Sequence, residues 1–307
     1  MIIAKCPLRF SLAGGSTDLQ DFVDTNNFGS VISFPASVYT YISVHNNNRD
    51  KYIINYSKRE TTQAAHEIKN DIAREVLVYF GCGPITMTFN TDIQTVGSGL
   101  ASSSSYMVAA IGAVSKYMRK ELSNFEICKL ALHLERKFNP LTGYQDPYGC
   151  GLPSLKKMVF RKGKDPEVTF LDQSLLSNLD MHIKYTGIQR QSTKILNKVV
   201  KSDRRALLDK VNSLENSIKT SSRDKFLNTI SEGWEQKKTI TPFILSNKNV
   251  KDLDYLLQED CSVLSHRLCG AGNGGYFLIF SNKDEALSHN NLITIKINQK
   301  GLEVIEV

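Results

Sequence analysis

The sequence has no long run of apolar residues, no Cys-x-x-Cys pair and no long block of like charge. A helix that crosses a bilayer needs about 20 apolar residues, so we expect no membrane-spanning segment and no membrane partner. Its six cysteines are scattered without zinc-ligand spacing, which is typical of reduced thiols in a cytoplasmic protein. Residues 1–10 contain too short an apolar run for a signal peptide.

Charge of one sign is also not concentrated anywhere. The net charge is +7, but basic residues are spread along the 307 positions and mixed with acidic ones. Nucleic-acid-binding surfaces show clustered Lys and Arg, so we expect no nucleic-acid partner. Hydrophobic residues make up 41% of the chain, which is enough for a sizeable core and more than one domain.

Strand patterns dominate the first part of the chain and helix patterns follow. Alternation and β-branched or aromatic residues predict strands at 38–44, 52–56, 85–90 and 181–187. The strands "YFLIF" and "LITIKI" are predicted near the end. Strands that cluster before helices favour an α+β fold over alternating βαβ units.

Several helices follow from periodic apolar residues. One has its apolar face at Met107, Ile111, Val114 and Met118. A second begins at a capping box, Ser123 with Glu126, and Pro140 and Gly143 end it. Two later helices are predicted from the following apolar residues: Leu207, Leu208, Val211, Leu214 and Ile218 in one, and Leu253, Leu256, Leu257, Cys261, Leu264 and Leu268 in the other.

Three glycine-rich stretches are present, at 12–18 (LAGGSTD), 97–105 (GSGLASSSS) and 270–275 (GAGNGG). None is a P-loop, because no glycine precedes Lys-Ser or Lys-Thr. None fits a dinucleotide fingerprint: 270–275 is expected between a helix and a strand, the reverse context, and 97–102 ends in Ser102 outside a βαβ unit. Each stretch alone is more typical of a structural turn than of a binding site.

The stretch 97–105 precedes a predicted helix. The first N–H groups of a helix and its dipole attract anions, and small residues let a phosphate approach the backbone. Serine hydroxyls cap helices, donate to phosphate or ligate Mg²⁺. One serine suffices for a cap, whereas residues 102–105 are all serine, so the pattern favours a phosphate cradle.

The three stretches together resemble the ordered motifs of the GHMP kinases. Their second motif reads P-x-x-x-G-L-G-S-S-A, and Gly99 to Ser104 follows it with Ala101 for Gly, Ser104 for Ala and no proline. The third is similar to 270–275, with Asn273 where Gly is common. The first is similar to 6–19 (CPLRFSLAGGSTDL). The three motifs span about nine-tenths of the chain.

This resemblance implies an α+β, two-domain GHMP kinase fold. The N-terminal, ATP-binding part (1–170) would be ribosomal S5 domain 2-like and the C-terminal part (171–307) ferredoxin-like, with the active site in the cleft between them. In the family a Mg²⁺-binding Glu precedes a catalytic Asp by about eleven residues, a separation that Glu135 and Asp146 share. From the residues alone, Glu135 is a solvated helical Glu and Asp146 an Asx turn before Pro147.

The resemblance also implies roles for individual residues. Asp146 would accept the proton of the substrate hydroxyl, Arg9 would neutralise the transferred phosphoryl group, and Ser103 with Glu135 would hold Mg²⁺. ATP phosphates would bind the following residues: Gly97, Ser98, Gly99, Leu100, Ala101, Ser102, Ser103 and Ser104. Substrate would bind the following: Gly14, Gly15, Ser16, Thr17, Asp18, Gly187, Arg190, Gly272 and Asn273.

Within the superfamily, "AGGSTD" resembles the AGGGTD of heptose 7-phosphate kinases and fucokinases, with Ser16 for Gly. The segments "YTGIQR" and "GYQDPY" resemble YTGxxR and GKQDQY of the same group. The resemblance therefore implies a cytoplasmic, monomeric or homodimeric kinase that uses ATP and Mg²⁺ on the anomeric hydroxyl of a sugar, D-glycero-D-manno-heptose 7-phosphate first. The alternatives are a kinase of an unphosphorylated sugar or of a mevalonate-type substrate, and a sugar and ATP sensor without turnover.

Overall fold

The computed structural model describes residues 1–189 and 203–307, in which helices pack on two β-sheets. The first sheet consists of β1 (Ile2–Ala13), β2 (Gly29–His45), β3 (Tyr52–Asn55), β4 (Arg59–Thr62), β5 (Thr86–Thr91), β6 (Lys156–Phe160), β7 (Glu167–Phe170) and β12 (Glu303–Glu306). Its order is β12-β1-β2-β5-β3-β4, and β6 pairs with both β2 and β7. β3 and β5 are parallel, and the other pairs described are antiparallel.

The helices of the N-terminal half cover this sheet. They are α1 (Gln20–Asn26), α2 (Asp71–Phe80), α3 (Ser102–Tyr117), α4 (Asn124–Glu135) and α5 (Gln145–Gly151). Elsewhere along the chain, short 3₁₀ helices lie at Ala65–Glu67, Ser174–Asn178 and Pro242–Leu245. Met107, Ile111 and Val114 are buried as predicted, but α3 is buried on its other faces too. The reason is that β1, β2, α2, α4 and α5 surround it, which a one-faced pattern does not show.

The second sheet has the order β11-β8-β10-β9 with antiparallel pairing throughout. Its strands are β8 (Leu179–Tyr185), β9 (Ser265–Leu268), β10 (Tyr276–Asn282) and β11 (Leu292–Ile295), and the helices described here are α6 (Ala206–Lys219), α7 (Arg223–Ile240) and α8 (Lys248–Glu259). Counted along this sheet the order is 4-1-3-2, the ferredoxin-like order expected. The connection from β10 to β11 is a loop where a second helix crossover would complete that motif.

One hydrophobic core joins the two sheets. Leu8, Phe10 and Phe34 of the first sheet are buried together with Phe226 and Phe280 from the C-terminal half. The last strand, β12, pairs with β1, so the chain returns to the first sheet at its end. The division into domains 1–170 and 171–307 stays a prediction.

The predicted strands and capping box are confirmed. The strand patterns correspond to β2, β3, β5, β8, β10 and β11. At the start of α4, the Ser123 amide donates to Glu126 Oε2 at 2.8 Å and the Glu126 amide donates to Ser123 Oγ at 3.3 Å. Among the described residues, no helix has the length and apolarity that a bilayer crossing requires.

One predicted helix is wrong at its C-terminal end. The segment expected to be helical through Leu268 leaves the helix after Glu259. Asp260 terminates it, because its Oδ1 accepts the Ser262 amide in an Asx turn at 2.9 Å. Leu268 then pairs with Phe277 across β9 and β10. The 270–275 stretch therefore follows a strand, not a helix.

Candidate active site

The glycine-serine stretch 97–105 forms a loop that opens directly into α3. Gly97, Gly99 and Ala101 all have positive φ, at 67°, 83° and 60°, and they alternate along the chain. Alternation of left-handed with ordinary backbone turns successive N–H groups toward one side, which makes a concave anion-binding nest. Leu100, between them, is fully buried in the core that joins the sheets. The loop therefore combines a packed anchor with a backbone cradle.

The four serines have different partners. Ser102 Oγ donates to the Thr95 carbonyl at 2.9 Å, and Ser104 Oγ donates to Glu135 Oε2 at 2.5 Å. Ser105 Oγ lies 2.7 Å from the hydroxyl of Thr40 and is buried in the core. Ser103 is partly exposed and lines the cleft described below. The run of serines is thus divided between bracing the loop and facing the cleft.

Glu135 ends α4 beneath the loop and is 1% exposed. The interpretation of Glu135 as a solvated side chain is wrong, because α4 directs it inward against Ser104. Burial raises the pKa of Glu135 to about 7, while hydrogen bonds from Ser104 and Ser103 act in the opposite direction. A carboxylate held by hydroxyls at the edge of a cleft is a donor set that suits a hard cation.

Arg9 and Asp146 form an ion pair in the centre of the site. Arg9 Nε and Nη2 both donate to Asp146 Oδ1, at 3.0 and 2.7 Å, and Nη1 donates to the Gly99 carbonyl at 2.8 Å. Burial lowers the pKa of Arg9, but the Asp146 carboxylate outweighs burial, so this pKa lies above its ordinary value. Asp146 is in the first turn of α5, not in an Asx turn of a loop as the residues alone suggested.

Backbone irregularity places Arg9 at this point. The pairing of β1 with β2 shifts register between Pro7 and Arg9. The Arg9 amide then donates to the Leu100 carbonyl at 3.2 Å instead of to β2. Gly149 of α5 lies against the Arg9 side chain, where an added Cβ would approach Arg9 Cβ to 3.1 Å. The loop, β1 and α5 therefore converge on one guanidinium.

The first glycine-rich stretch is tied to α5 through Asp18. Its carboxylate accepts the Ser16 amide at 3.0 Å and the Gln145 amide and Nε2 at 3.1 and 2.9 Å. Burial first and the nearby Asp146 second raise the pKa of Asp18 to about 6, while the Gln145 amide and Arg9 act in the opposite direction. Gly143 allows this approach, because a Cβ there would lie 2.1 Å from Asp18 Oδ2.

One cleft collects most of the predicted site. Its lining includes the following predicted residues: Arg9, Gly15, Ser16, Asp18, Gly97, Ser98, Gly99, Ala101, Ser102, Ser103, Ser104, Glu135 and Asp146. Gly14 and Thr17 do not line it. Gly14 packs on the Ser30 carbonyl, and Thr17 Oγ1 donates to the same carbonyl at 2.9 Å. Both hold the turn from beneath.

The third glycine-rich stretch braces the site more than it lines it. Gly272 packs against Ile244, and the Asn273 amide donates to the Ile244 carbonyl at 2.8 Å. Neither residue lines the cleft, and their role as substrate contacts stays a prediction. Gly275 lies behind the loop 97–105, where a Cβ on Gly275 would approach the Ser98 carbonyl oxygen to 2.1 Å. Gly187 is exposed and away from the cleft lining. Arg190 lies outside the described residues.

The three positions at which this chain departs from a family glycine share one backbone property. Ser16, Ala101 and Asn273 have φ of 81°, 60° and 59°. Glycine reaches this left-handed region without steric cost, whereas other residues reach it at a cost of about 1–2 kcal/mol. The substitutions therefore retain the conformation of the motif.

Sequence reasoning missed several residues of the cleft or its support, and four of them carry charge or hold a predicted residue. Arg267 and Lys237 line the cleft from the C-terminal half. Gln145 holds Asp18, and fully buried Lys156 donates to the Leu152 carbonyl at 2.8 Å just beyond the end of α5. Arg267 lies shortly before the third glycine-rich stretch, separated from it by Leu268 and Cys269, and this proximity was an available signal. Lys237 and Gln145 are distant in sequence from Gly270 and Asp18, the residues to which they donate.

The family comparison agrees with this geometry. Residues 55–153 match the GHMP kinases N terminal domain. The structure of a D-glycero-D-manno-heptose 1-phosphate kinase from Bacteroides thetaiotaomicron superposes with a TM-score of 0.76 at 17% identity, covering 100% of this chain and 99% of that one. This likeness shows a shared two-domain fold. The matched residues correspond to the N-terminal domain of a kinase family, and together with the shared fold this supports a phosphotransferase activity.

Two known kinases are similar to this chain in sequence. The chain is 26% identical over 310 residues to the D-glycero-alpha-D-manno-heptose 7-phosphate kinase of Campylobacter jejuni, covering 91% of this chain and 89% of the relative. It is 29% identical over 230 residues to the L-fucokinase/L-fucose-1-P guanylyltransferase of Bacteroides fragilis, covering 69% of this chain. That match spans about a quarter (24%) of the longer relative.

Proposed function

We propose that this chain is an ATP-dependent kinase that phosphorylates the anomeric hydroxyl of D-glycero-D-manno-heptose 7-phosphate. The product is the 1,7-bisphosphate, a precursor for cell-surface polysaccharide. The observation that carries the proposal is the Arg9–Asp146 pair beside the glycine-serine loop, in a cleft of the expected composition. The similarity to a heptose 7-phosphate kinase over 91% of the chain supports the choice of sugar.

The loop 97–104 binds the ATP phosphates in this proposal. Its left-handed residues direct backbone N–H groups toward the cleft, and the N-terminus of α3 adds the positive end of its dipole. Gly275 supports the loop from behind through its contact with Ser98. Phosphoryl transfer depends mainly on such positioning and on charge stabilisation.

The residues present fit a magnesium ion. Ser103 and Glu135 would hold it, since both offer oxygen ligands at the cleft and Mg²⁺ is commonly bound by one or two carboxylates plus substrate phosphates. No group of three His, Cys, Asp or Glu side chains that could hold a metal occurs in the part of the chain described. A bound Mg²⁺ supplies charge neutralisation on the phosphate oxygens. Ser104 keeps the Glu135 carboxylate oriented.

Asp146 accepts the proton of the anomeric hydroxyl. The sugar oxygen attacks the γ-phosphorus, the bond to the ADP oxygen breaks, and the hydroxyl proton passes to the Asp146 carboxylate. Arg9 fixes the orientation of this carboxylate and places a positive charge where the phosphoryl group moves. Gly15, Ser16 and Asp18 form the sugar side of the cleft, and Gly187 and Arg190 stay predictions as substrate contacts.

A second candidate substrate is an unphosphorylated sugar such as L-fucose, because the bifunctional fucokinase relative is 29% identical over the matched region. The same catalytic residues would serve it. Without a substrate phosphate, the acceptor side would depend on hydroxyl contacts such as those Asp18 offers.

The test is ADP release with ATP and Mg²⁺ on heptose 7-phosphate, L-fucose, D-galactose and mevalonate. We expect turnover on heptose 7-phosphate first. Asp146→Asn is expected to lower kcat by about 10²–10⁴ while ATP binding by calorimetry persists. Asp165→Asn, an exposed residue paired with Lys129, is the matched control. Wild-type rates in Asp146→Asn would rule out the role of Asp146, and ADP release without any sugar would favour a simple ATPase.

A further inference from the structure

Arg267 is a buried cation that faces the cleft from the C-terminal half. It lies on β9, is 4% exposed and lines the same cleft as Arg9 and Asp146. Its Nη1 donates to the Leu12 carbonyl on β1, which anchors one end of the guanidinium. Its Nε is buried and has no hydrogen-bond partner among the described residues.

The charge of Arg267 is also uncompensated within residues 1–189 and 203–307. No carboxylate there lies within ion-pair distance of it, whereas Arg9 has Asp146. The pKa of Arg267 is lowered to about 10, chiefly by burial; Cys269 acts in the opposite direction, and the positive charge of Arg9 acts in the same direction as burial. A buried, unpaired charge beside a like charge is unfavourable unless an anion binds between them. The charge of Arg267 therefore favours binding of a negatively charged ligand in the cleft.

We propose that Arg267 is a phosphate-binding residue of the active site and that it clamps a phosphate group together with Arg9. The planar guanidinium fork suits phosphate oxygens, and Nε is a donor that has no partner among the described residues. Lys237 lines the same wall and donates to the Gly270 carbonyl at 2.6 Å, which adds positive charge to this side. The inference rests on the proposed function, since it assigns a new residue to the same cleft.

Two phosphates have the required chemistry: the γ-phosphate of ATP and the phosphate of the sugar substrate. Arg267 lines the same cleft as Arg9, which is bonded to Asp146, and this favours the transferred γ-phosphate. In that position Arg267 would stabilise charge on the phosphoryl oxygens from the side opposite the loop. The two sources are separated by experiment.

The probes are AMP-PNP, ADP and heptose 7-phosphate, measured by calorimetry with Mg²⁺ on wild type, Arg267→Met and Arg267→Lys. Arg161→Met, a surface residue paired with Glu167, is the control for lost charge. If Arg267 binds the γ-phosphate, Arg267→Met weakens AMP-PNP by about tenfold or more and leaves ADP nearly unchanged. If it binds the sugar phosphate, the loss falls on heptose 7-phosphate instead. Equal affinity of both variants and wild type for all three probes overturns the proposal.

Thermal melting distinguishes a variant that loses ligand binding from one that loses folding. Because the unpaired charge is unfavourable without ligand, Arg267→Met is expected to melt no lower than wild type when apo, and AMP-PNP is expected to raise the Tm of wild type more. A steep drop in apo Tm would indicate a structural role and overturn the proposal, unless Arg267→Lys folds normally and still loses AMP-PNP affinity. If AMP-PNP binding depends on Arg267 but wild type phosphorylates no sugar, only the proposed function is refuted. A working kinase with unaffected variants would refute this inference alone.

Discussion

Both donating nitrogens of Arg9 that reach Asp146 bond to a single oxygen, Oδ1, at 3.0 and 2.7 Å. The second carboxylate oxygen takes no part in the pair. Since the Asp146 side chain is 25% exposed and lines the cleft, that oxygen is available to a substrate hydroxyl. Arg9 therefore orients the Asp146 carboxylate through Oδ1, and Oδ2 is the oxygen that can accept from a substrate.

This arrangement makes Arg9 sensitive to a change that keeps its charge. Arg9→Lys retains the positive charge but loses the fork that contacts Asp146 and Gly99 together. We expect kcat to fall by about 10²–10³, as for loss of a preorganised donor to a transition state. Steady-state ADP release measures it. A kcat within error of wild type would show that the fork is dispensable.

The serines of the loop are expected to separate metal binding from support. Ser103→Ala should raise the Mg²⁺ concentration for half-maximal rate and lower stability less than Ser104→Ala does, because Ser103 is partly exposed in the cleft. Ser104→Ala should lower the free energy of unfolding by about 1–3 kcal/mol, since it removes a bond to buried Glu135. Mg²⁺ titrations and urea unfolding measure the two effects. Identical Mg²⁺ curves for wild type and Ser103→Ala would exclude Ser103 from the metal site.

Gly275 is expected to be intolerant of any side chain. Its φ is +93°, and a Cβ would lie 2.1 Å from the Ser98 carbonyl oxygen of the phosphate loop. Gly275→Ala must displace that loop, so we expect a loss of ATP affinity in addition to strain of about 1–3 kcal/mol. Gly163→Ala is the control, because Gly163 also has positive φ (+71°) but no atom within 4 Å of the added Cβ. Equal effects of the two variants on ATP binding would contradict the bracing role.

Lys156 predicts a pH dependence of stability. Its ammonium is fully buried, and it donates to the carbonyls of Gly149 and Leu152 at 3.2 and 2.8 Å and to those of Pro153 and Ser154 at 3.3 Å. Burial lowers the pKa of Lys156 from 10.5 to about 7. Between these values the folded protein binds fewer protons than the unfolded chain, so the Lys156 contribution to stability rises with pH across this window.

The measurement compares wild type with Lys156→Met. The free energy of unfolding of wild type minus that of the variant should increase from pH 7 toward pH 10, by at most about 1.4 kcal/mol per pH unit. Urea unfolding at several pH values measures it. Lys129→Met, a change at an exposed position, should show no such trend. Parallel curves for wild type and Lys156→Met would contradict a depressed pKa at Lys156.

The sequence predicted features that depend on local pattern. Alternation located β2, β3, β5 and β8, and the capping box located the start of α4, since both signals lie within a few residues. The end of α8 was missed because Leu264 and Leu268 fit helical spacing, while pairing with the distant β10 decides the strand. Local periodicity does not contain that pairing.

The motifs predicted which residues belong to the site, but not the contacts that those residues make with one another. The ordered glycine-rich stretches led to Asp146 and Arg9, but nothing in the sequence indicates that Arg9 bonds to both Asp146 and Gly99. The burial of Glu135 follows from α3 and α4 packing together. Arg267 enters the cleft only because β9 pairs within the second sheet. Long-range packing supplies each of these relations.

The left-handed residues Ser16, Ala101 and Asn273 have a further consequence for ligand binding. Glycine at such positions leaves a loop many alternative conformations, which must be given up when a ligand orders it. A side chain restricts those alternatives in the free protein, and its strain is sustained by the surrounding contacts. Part of the entropy cost of ordering these loops is therefore incurred during folding instead of when a ligand binds.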